Sequence, residues 1–127
     1  MDPNQILTDA YPPREIAHRV EELGVTKARL SALSVLVLAI LAGAFISMGA
    51  AFYMLVSTGS TAGFGLTRLA GGVSFSLGLI LVVVAGAELF TGNNLIAMAW
   101  SSGRIGILDV LRIWILSFTG NVLGCLI

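Results

Sequence analysis

The stretch Ala85-Gly86-Ala87-Glu88-Leu89-Phe90-Thr91-Gly92-Asn93-Asn94 places an acid, a hydroxyl, two carboxamides and two glycines inside an otherwise apolar run. The nearest charges outside it are Arg68 upstream and Arg104 downstream. One straight helix over residues 69–102 would measure about 50 Å at about 1.5 Å per residue, against a hydrocarbon core of about 30 Å. Excess length and polar insertion together predict a crossing that breaks here. Backbone outside helical geometry is tolerated at membrane depth only where protein buries it or a water-filled path lines it. The break is therefore also the first candidate for a site.

Composition points the same way. The 127 residues are 57% hydrophobic and 11% charged, with a mean hydropathy of +0.96, which excludes an ordinary soluble domain and predicts an all-α membrane protein. The formal charge is zero, so no nucleic acid or other polyanion is expected as a partner. Three crossings and an amphipathic tail use up the length.

Residues 1–29 carry nine of the fourteen charged residues, with both signs mixed, and lack the apolar core of a cleavable signal peptide. From Pro13, a good first helical position, Ile16, Val20 and Leu23 recur at helical spacing. That predicts a short amphipathic helix on the membrane surface or against a neighbouring subunit. His18 falls in this solvated helix and is assigned no role.

Residues 30–67 hold no charge, and a first span is expected over 30–57, with Ser31 to Val56 as its helix. Ala39, Gly43, Ser47 and Ala51 form a stripe of small side chains at four-residue steps, suited to close helix packing. Ser57 to Thr67 reads as a Gly/Ser/Thr-rich loop. The second, broken span is expected over 69–102, where Phe75, Leu79, Val82 and Gly86 share one face. Periodicity leaves that face open between a packing surface and a pore constriction, with packing the simpler reading.

After the break, Leu95 to Ser102 is too short to cross alone and completes the same span. Asn93 and Asn94 are the expected caps of that half-helix, whose first amides favour a nearby anion. Thr91 adds a hydroxyl that donates or accepts. Glu88 is expected to accept hydrogen bonds from loop amides or to be protonated by desolvation, an architectural role in either case. The truncated third span, 110–127, brings Asn121 between Gly120 and Gly124, where interhelical hydrogen bonding is its expected use. Trp114 reads as an interfacial anchor. With only fifteen residues from Ile113 to Ile127, the chain is expected to be part of a longer polypeptide whose second half is inverted. Lys and Arg number six in the tail and the 101–112 region against one, Arg68, on the other side, so the N-terminus is expected in the cytoplasm. No metal cluster, nucleophile–base pair or phosphate loop is present, Cys125 is alone, and neither enzyme activity nor a cofactor is expected.

Phe75-Ser-Leu-Gly-Leu79, Ala-Gly-Ala-Glu88-Leu89-Phe90-Thr91-Gly92-Asn93, Ser-Gly-Arg104 and Gly120-Asn121-Val-Leu-Gly124 resemble the N-terminal half of the formate/nitrite transporter family, from about Ile16 onward. The resemblance implies an aquaporin-like fold of two inverted repeats, of which this chain holds the first. It also implies a homopentamer in the cell inner membrane, each subunit with its own pore. By the same resemblance Phe75 forms the outer constriction, while Leu89, Phe90 and Thr91 with Leu79 form the inner slit and its mobile loop. Glu88, Gly92, Asn93, Asn94 and Asn121 then support the loop and its helix ends. The family's pore histidine belongs to the half absent here.

The function expected is passage of a small monovalent anion, formate first, with nitrite and hydrosulfide as competitors. Apolar rings make a bare anion costly to pass, so proton-linked transport is expected. A neutral-solute channel is the alternative from another class. Its half-helices begin Asn-Pro-Ala, and the apolar part of this chain contains no proline. The other alternative is a structural fragment with no transport of its own.

Overall fold

The computed structural model describes residues 11–127; residues 1–10 of the expected tail lie outside the described residues. Among the described residues six helices follow in order: α1 (Pro13–Ala28), α2 (Ala32–Ser57), α3 (Phe64–Ala85), α4 (Phe90–Asn93), α5 (Ile96–Ser101) and α6 (Ile107–Cys125). Among the described residues there is no strand, and α2, α3 and α6 are long and apolar enough to cross a membrane.

Ser31 starts the first crossing, its Oγ accepting from the Ser34 amide at 3.1 Å. Helix α2 lies between α3 and α6, and glycines set both crossings. A β-carbon on Gly49 would stand 2.8 Å from the Phe75 carbonyl oxygen, and one on Gly78 would stand 2.7 Å from that of Phe45. Against α6 the approach is closer still, 2.2 Å from a β-carbon on Gly43 to the Asn121 carbonyl oxygen. Of the small-residue stripe, Ala39 and Gly43 are buried at this crossing, and Ser47 Oγ donates to the Cys125 carbonyl at 3.3 Å. Ala51 is exposed, because α6 has already ended at that level.

Three boundaries differ from the sequence reading. The loop after the first span is shorter than Ser57 to Thr67, because α3 begins at Phe64 behind Gly63 at φ 81°. Helix α6 begins at Ile107, so it has 19 residues and carries Asp109 and Arg112 in its opening turns. Asp109 closes that end, its Oδ2 accepting from the Gly106 amide at 3.2 Å. Helix formation resumes after the break at Phe90 rather than Leu95.

Helix α1 lies against α5, with Gly24 buried at the contact. A β-carbon there would approach the Ala99 methyl to 2.9 Å. The expected apolar stripe is not what α1 buries in this chain, since Ile16 and Leu23 stay exposed. Val35 of α2, Ile96 of α5 and Val110 and Ile113 of α6 form a buried cluster, with Ala28 of α1 packed against it.

Candidate functional site

The second crossing stops at Gly86, which takes the left-handed conformation (φ 63°, ψ 30°) and donates back to the Val83 carbonyl. Only glycine adopts that geometry at no steric cost. From there to Leu89, itself extended, the chain is not helical. The Glu88 amide donates to the Leu38 carbonyl of α2 at 3.2 Å. Asn121 closes the rest from α6. Its Nδ2 donates to the carbonyls of Ala39 and Glu88, both at 2.9 Å, and its Oδ1 accepts from the Phe90 amide at 2.9 Å. One carboxamide thus satisfies two backbone groups freed by the break, the Glu88 carbonyl and the Phe90 amide, and through the Ala39 carbonyl of α2 links all three crossings.

Glu88 is 7% exposed and pairs with Lys27 of α1, Nζ to Oε2 at 2.6 Å. The Glu88 carboxylate thus takes the ammonium of α1 rather than the loop amides expected, while its backbone is held by Leu38 and Asn121. The same ammonium donates to Asn93 Oδ1 at 2.9 Å, and Asn93 is fully buried. Lys27 had no distinguishing neighbour in the sequence, being 61 residues from Glu88. Arg112 was also missed. Its Nη2 donates to the carbonyls of Ala28 and Leu30 at 2.8 and 2.9 Å, capping α1 and so fixing Lys27.

The capping role expected of Asn93 and Asn94 is not observed. Leu95 precedes α5 in helical geometry, with no side-chain cap, and Asn94 is helical too. A capping side chain needs an extended residue at the cap position, and the chain here runs on through tight turns. Asn93 turns to Lys27 instead, while Asn94 is exposed. Nor is Trp114 only an anchor. It is half-buried, its Nε1 donates to the Asn93 carbonyl at 3.1 Å, and its ring meets Phe90 edge-on at 6.3 Å. Phe118, one turn further along α6, also meets the Phe90 ring edge-on, at 5.6 Å.

Around this scaffold, Leu89 and Phe90 are half-buried and Thr91 and Gly92 are exposed. The Phe90 amide is taken by Asn121 and the Asn93 amide by the Leu89 carbonyl, which leaves the Thr91 and Gly92 amides without a hydrogen-bond acceptor among the described residues. Further up α3, Phe75 and Leu79 are 37% and 50% exposed, while Gly78 and Val82 are buried against α2. His18 is exposed, 3.8 Å from Glu22, and Cys125 is a free thiol. Among the described residues no cluster of His, Cys, Asp or Glu is arranged to hold a metal.

The sequence that builds this interrupted crossing matches known sequences. The family model described as formate/nitrite transporter matches residues 14–127. The chain belongs to the formate/nitrite transporter family. It is 45% identical over 120 residues to the formate channel FocA of Escherichia coli (strain K12), an alignment covering 94% of this chain and 42% of that protein. It is 39% identical to the formate channel FocA of Haemophilus influenzae, covering 95% of this chain and 43% of that protein. With the uncharacterized transporter YrhG of Bacillus subtilis it shares 40% identity, over 90% of this chain and 44% of that protein. The chain therefore spans less than half the length of the curated relatives it matches. Three apolar helices and this membership make it a multi-pass membrane protein.

In this member of the family the carboxamide of Asn121 has a directly testable role. Asn121→Leu in the full-length protein strands the Phe90 amide and the Glu88 carbonyl and removes the tie to the Ala39 carbonyl, at an expected cost of about 2 kcal/mol. Asn121→Asp keeps the Phe90 bond but sets a carboxylate against two carbonyls, and is expected to be no better. Detergent unfolding of the purified variants checks both. Stability equal to the parent would mean that the break holds itself.

Proposed function

We propose that the full-length protein conducts a small monovalent anion, formate first, along a path lined by Phe75, Leu79, Leu89, Phe90 and Thr91. The observation that carries the reading is the interruption between Gly86 and Leu89, pinned by Asn121 and by the Lys27–Glu88 pair, with the Thr91 hydroxyl exposed at the restart. A hydroxyl and two amides without intrachain acceptors offer donors to an anion. Two relatives above are called formate channels, which supports formate over nitrite and hydrosulfide. Glu88, Gly92, Asn93 and Asn121 serve this path by holding the break in shape.

Phe75 at the outer constriction, and Leu79, Leu89 and Phe90 at the inner slit, are apolar, so a bare anion loses much of its hydration before the Thr91 donors can replace it. Passage as the neutral acid lowers that cost, and transport is read as proton-linked. The rest of the path, with the family's pore histidine, falls to the second, inverted half of the aquaporin-like fold. By resemblance to the family, the assembly is read as a homopentamer in the cell inner membrane. The six-to-one distribution of Lys and Arg supports a cytoplasmic N-terminus.

Formate uptake into proteoliposomes carrying the full-length protein tests this. Uptake at constant total formate is expected to fall about tenfold per unit rise in external pH, the slope for one proton taken up with each anion. Thr91→Val, which removes the hydroxyl and keeps the shape, is expected to lower flux about tenfold, the equivalent of one lost hydrogen bond. A flux indifferent to pH would rule out the proton linkage, and no formate flux at all would rule out the channel reading.

A further inference from the structure

At the end of the bundle opposite α1, Tyr53, Ser57, Ser60, Gly63, Phe64, Thr67 and Arg68 enclose a cavity of about 420 Å³. Arg68 is the only charged residue between Arg29 and Glu88 in the chain. Among the described residues it forms no ion pair. The nearest carboxylate in sequence, Glu88, lies past the far end of α3, about 25 Å away at 1.5 Å per residue. A guanidinium carries five donors, and here it is steered by two neutral partners: it donates to the Tyr53 hydroxyl, and its Cζ lies 5.3 Å from the centre of the Phe64 ring. Gly71 makes room for this arrangement, since a β-carbon there would stand 2.7 Å from the Tyr53 ring.

The remaining polar groups of the cavity are hydroxyls. Ser60 and Thr67 share a hydrogen bond of 2.8 Å between their oxygens. Ser57 Oγ is buried and has no hydrogen-bond partner, and a buried hydroxyl left unpaired marks a place where a polar partner is missing. One unneutralised guanidinium, three aliphatic hydroxyls and no acid make a site that attracts an anion and excludes a cation. Volume distinguishes it from a tight pocket. At about 30 Å³ per water, it holds an oxyanion together with much of its hydration.

Position gives the site a use. Arg68 precedes Phe75 by seven residues, which puts the two on one face of α3 about two turns apart. The geometry points to an outer anion-binding cup, built on Arg68 with Ser57, Ser60 and Thr67, that collects a small carboxylate or similar oxyanion before it reaches Phe75. The inference rests on the proposed path in one respect only, the use of the cup in transport. Binding itself does not depend on it.

Two measurements on the full-length protein separate these. In detergent micelles, modification of Arg68 by phenylglyoxal is followed by mass spectrometry with and without formate. Formate is expected to slow Arg68 modification severalfold relative to a bulky sulfonate at equal ionic strength, and Ser57→Ala with Thr67→Val to weaken that protection. Equal rates in formate and sulfonate would overturn the cup. In proteoliposomes, Arg68→Gln is expected to raise the half-saturating external formate concentration about threefold at low salt, with the difference lost by about 0.5 M salt. Arg68→Lys is expected to retain most of the parent affinity, and export from the inner side to be unchanged. An effect of Arg68→Gln equal from both sides would overturn the recruiting role. Protection without any formate flux would keep the cup and remove the channel reading.

Discussion

Alanine at Gly43 or Gly124 is expected to destabilise the full-length protein by about 3 kcal/mol or more, the upper range for overpacking a tight contact. The new methyl at position 43 would fall 2.2 Å from the Asn121 carbonyl oxygen, and at position 124 it would fall 2.0 Å from the Ile40 carbonyl oxygen. Carbon–oxygen contacts as short as these lie far inside the repulsive wall, and both neighbours are helix backbone, which has no rotamer by which to give way. Helices α2 and α6 must then separate along their whole crossing. Separation has a second consequence, because Asn121 lies on α6 and bridges Ala39, Glu88 and Phe90. Loss of close approach at Gly43 therefore also loosens the break. Gly72 is the internal control. Nothing lies within 4 Å of a β-carbon built there, so Gly72→Ala is expected to be neutral or to stabilise α3 by up to about 1 kcal/mol. Unfolding by SDS in mixed micelles ranks the three variants. A Gly43→Ala protein as stable as Gly72→Ala would mean that α2 and α6 do not touch as described.

The second large effect is expected at Lys27. Removing one member of a buried ion pair leaves the other desolvated and unpaired, typically at about 3–5 kcal/mol, and the partial exposure of Lys27 reduces that here to about 2–3 kcal/mol. Lys27→Met strips Glu88 of its cation and Asn93 of the donor to its Oδ1 in one step. Glu88→Gln is milder, because the ammonium keeps Asn93. The double variant Lys27→Met with Glu88→Gln has no unpaired charge, and is expected to be more stable than Lys27→Met alone. Such non-additivity is the mark of direct contact. Hydrogen exchange over residues 86–94 gives a local reading: it should speed up in Lys27→Met and slow again in the double variant. Strictly additive losses, or unchanged exchange, would mean that α1 does not clasp the break.

Both effects converge on one arrangement. The interruption of the second crossing is held from three directions, by α1 through Lys27, by α2 through the Ala39 and Leu38 carbonyls, and by α6 through Asn121 and Trp114. The Glu88 carboxylate, the Phe90 amide and the Asn93 Oδ1 and carbonyl serve that framework, and Thr91 is left exposed.

Much of this was legible in the residues taken alone. An apolar run too long for a bilayer, with Glu88, Thr91, Asn93 and Asn94 inside it, had to break, since length and hydrophobicity are local properties that no partner alters. The three crossings and the interhelical use of Asn121 followed from the same kind of reading. Partnership was another matter. Whether Glu88 meets loop amides or an ammonium depends on where α1 folds back, and Lys27 lies 61 residues away. Asn93 and Asn94 have the composition of caps, but capping depends on backbone angles at the junction, and the continuous turn from α4 into α5 withholds them. Trp114 looks like an anchor until the Asn93 carbonyl is found beside its ring nitrogen. Chain length and polarity thus determined that the second crossing is interrupted and roughly where. Only the packing of α1, α2 and α6 around it decided which groups satisfy the interruption, because hydrogen-bond partners distant in the chain are chosen by geometry that no local pattern encodes.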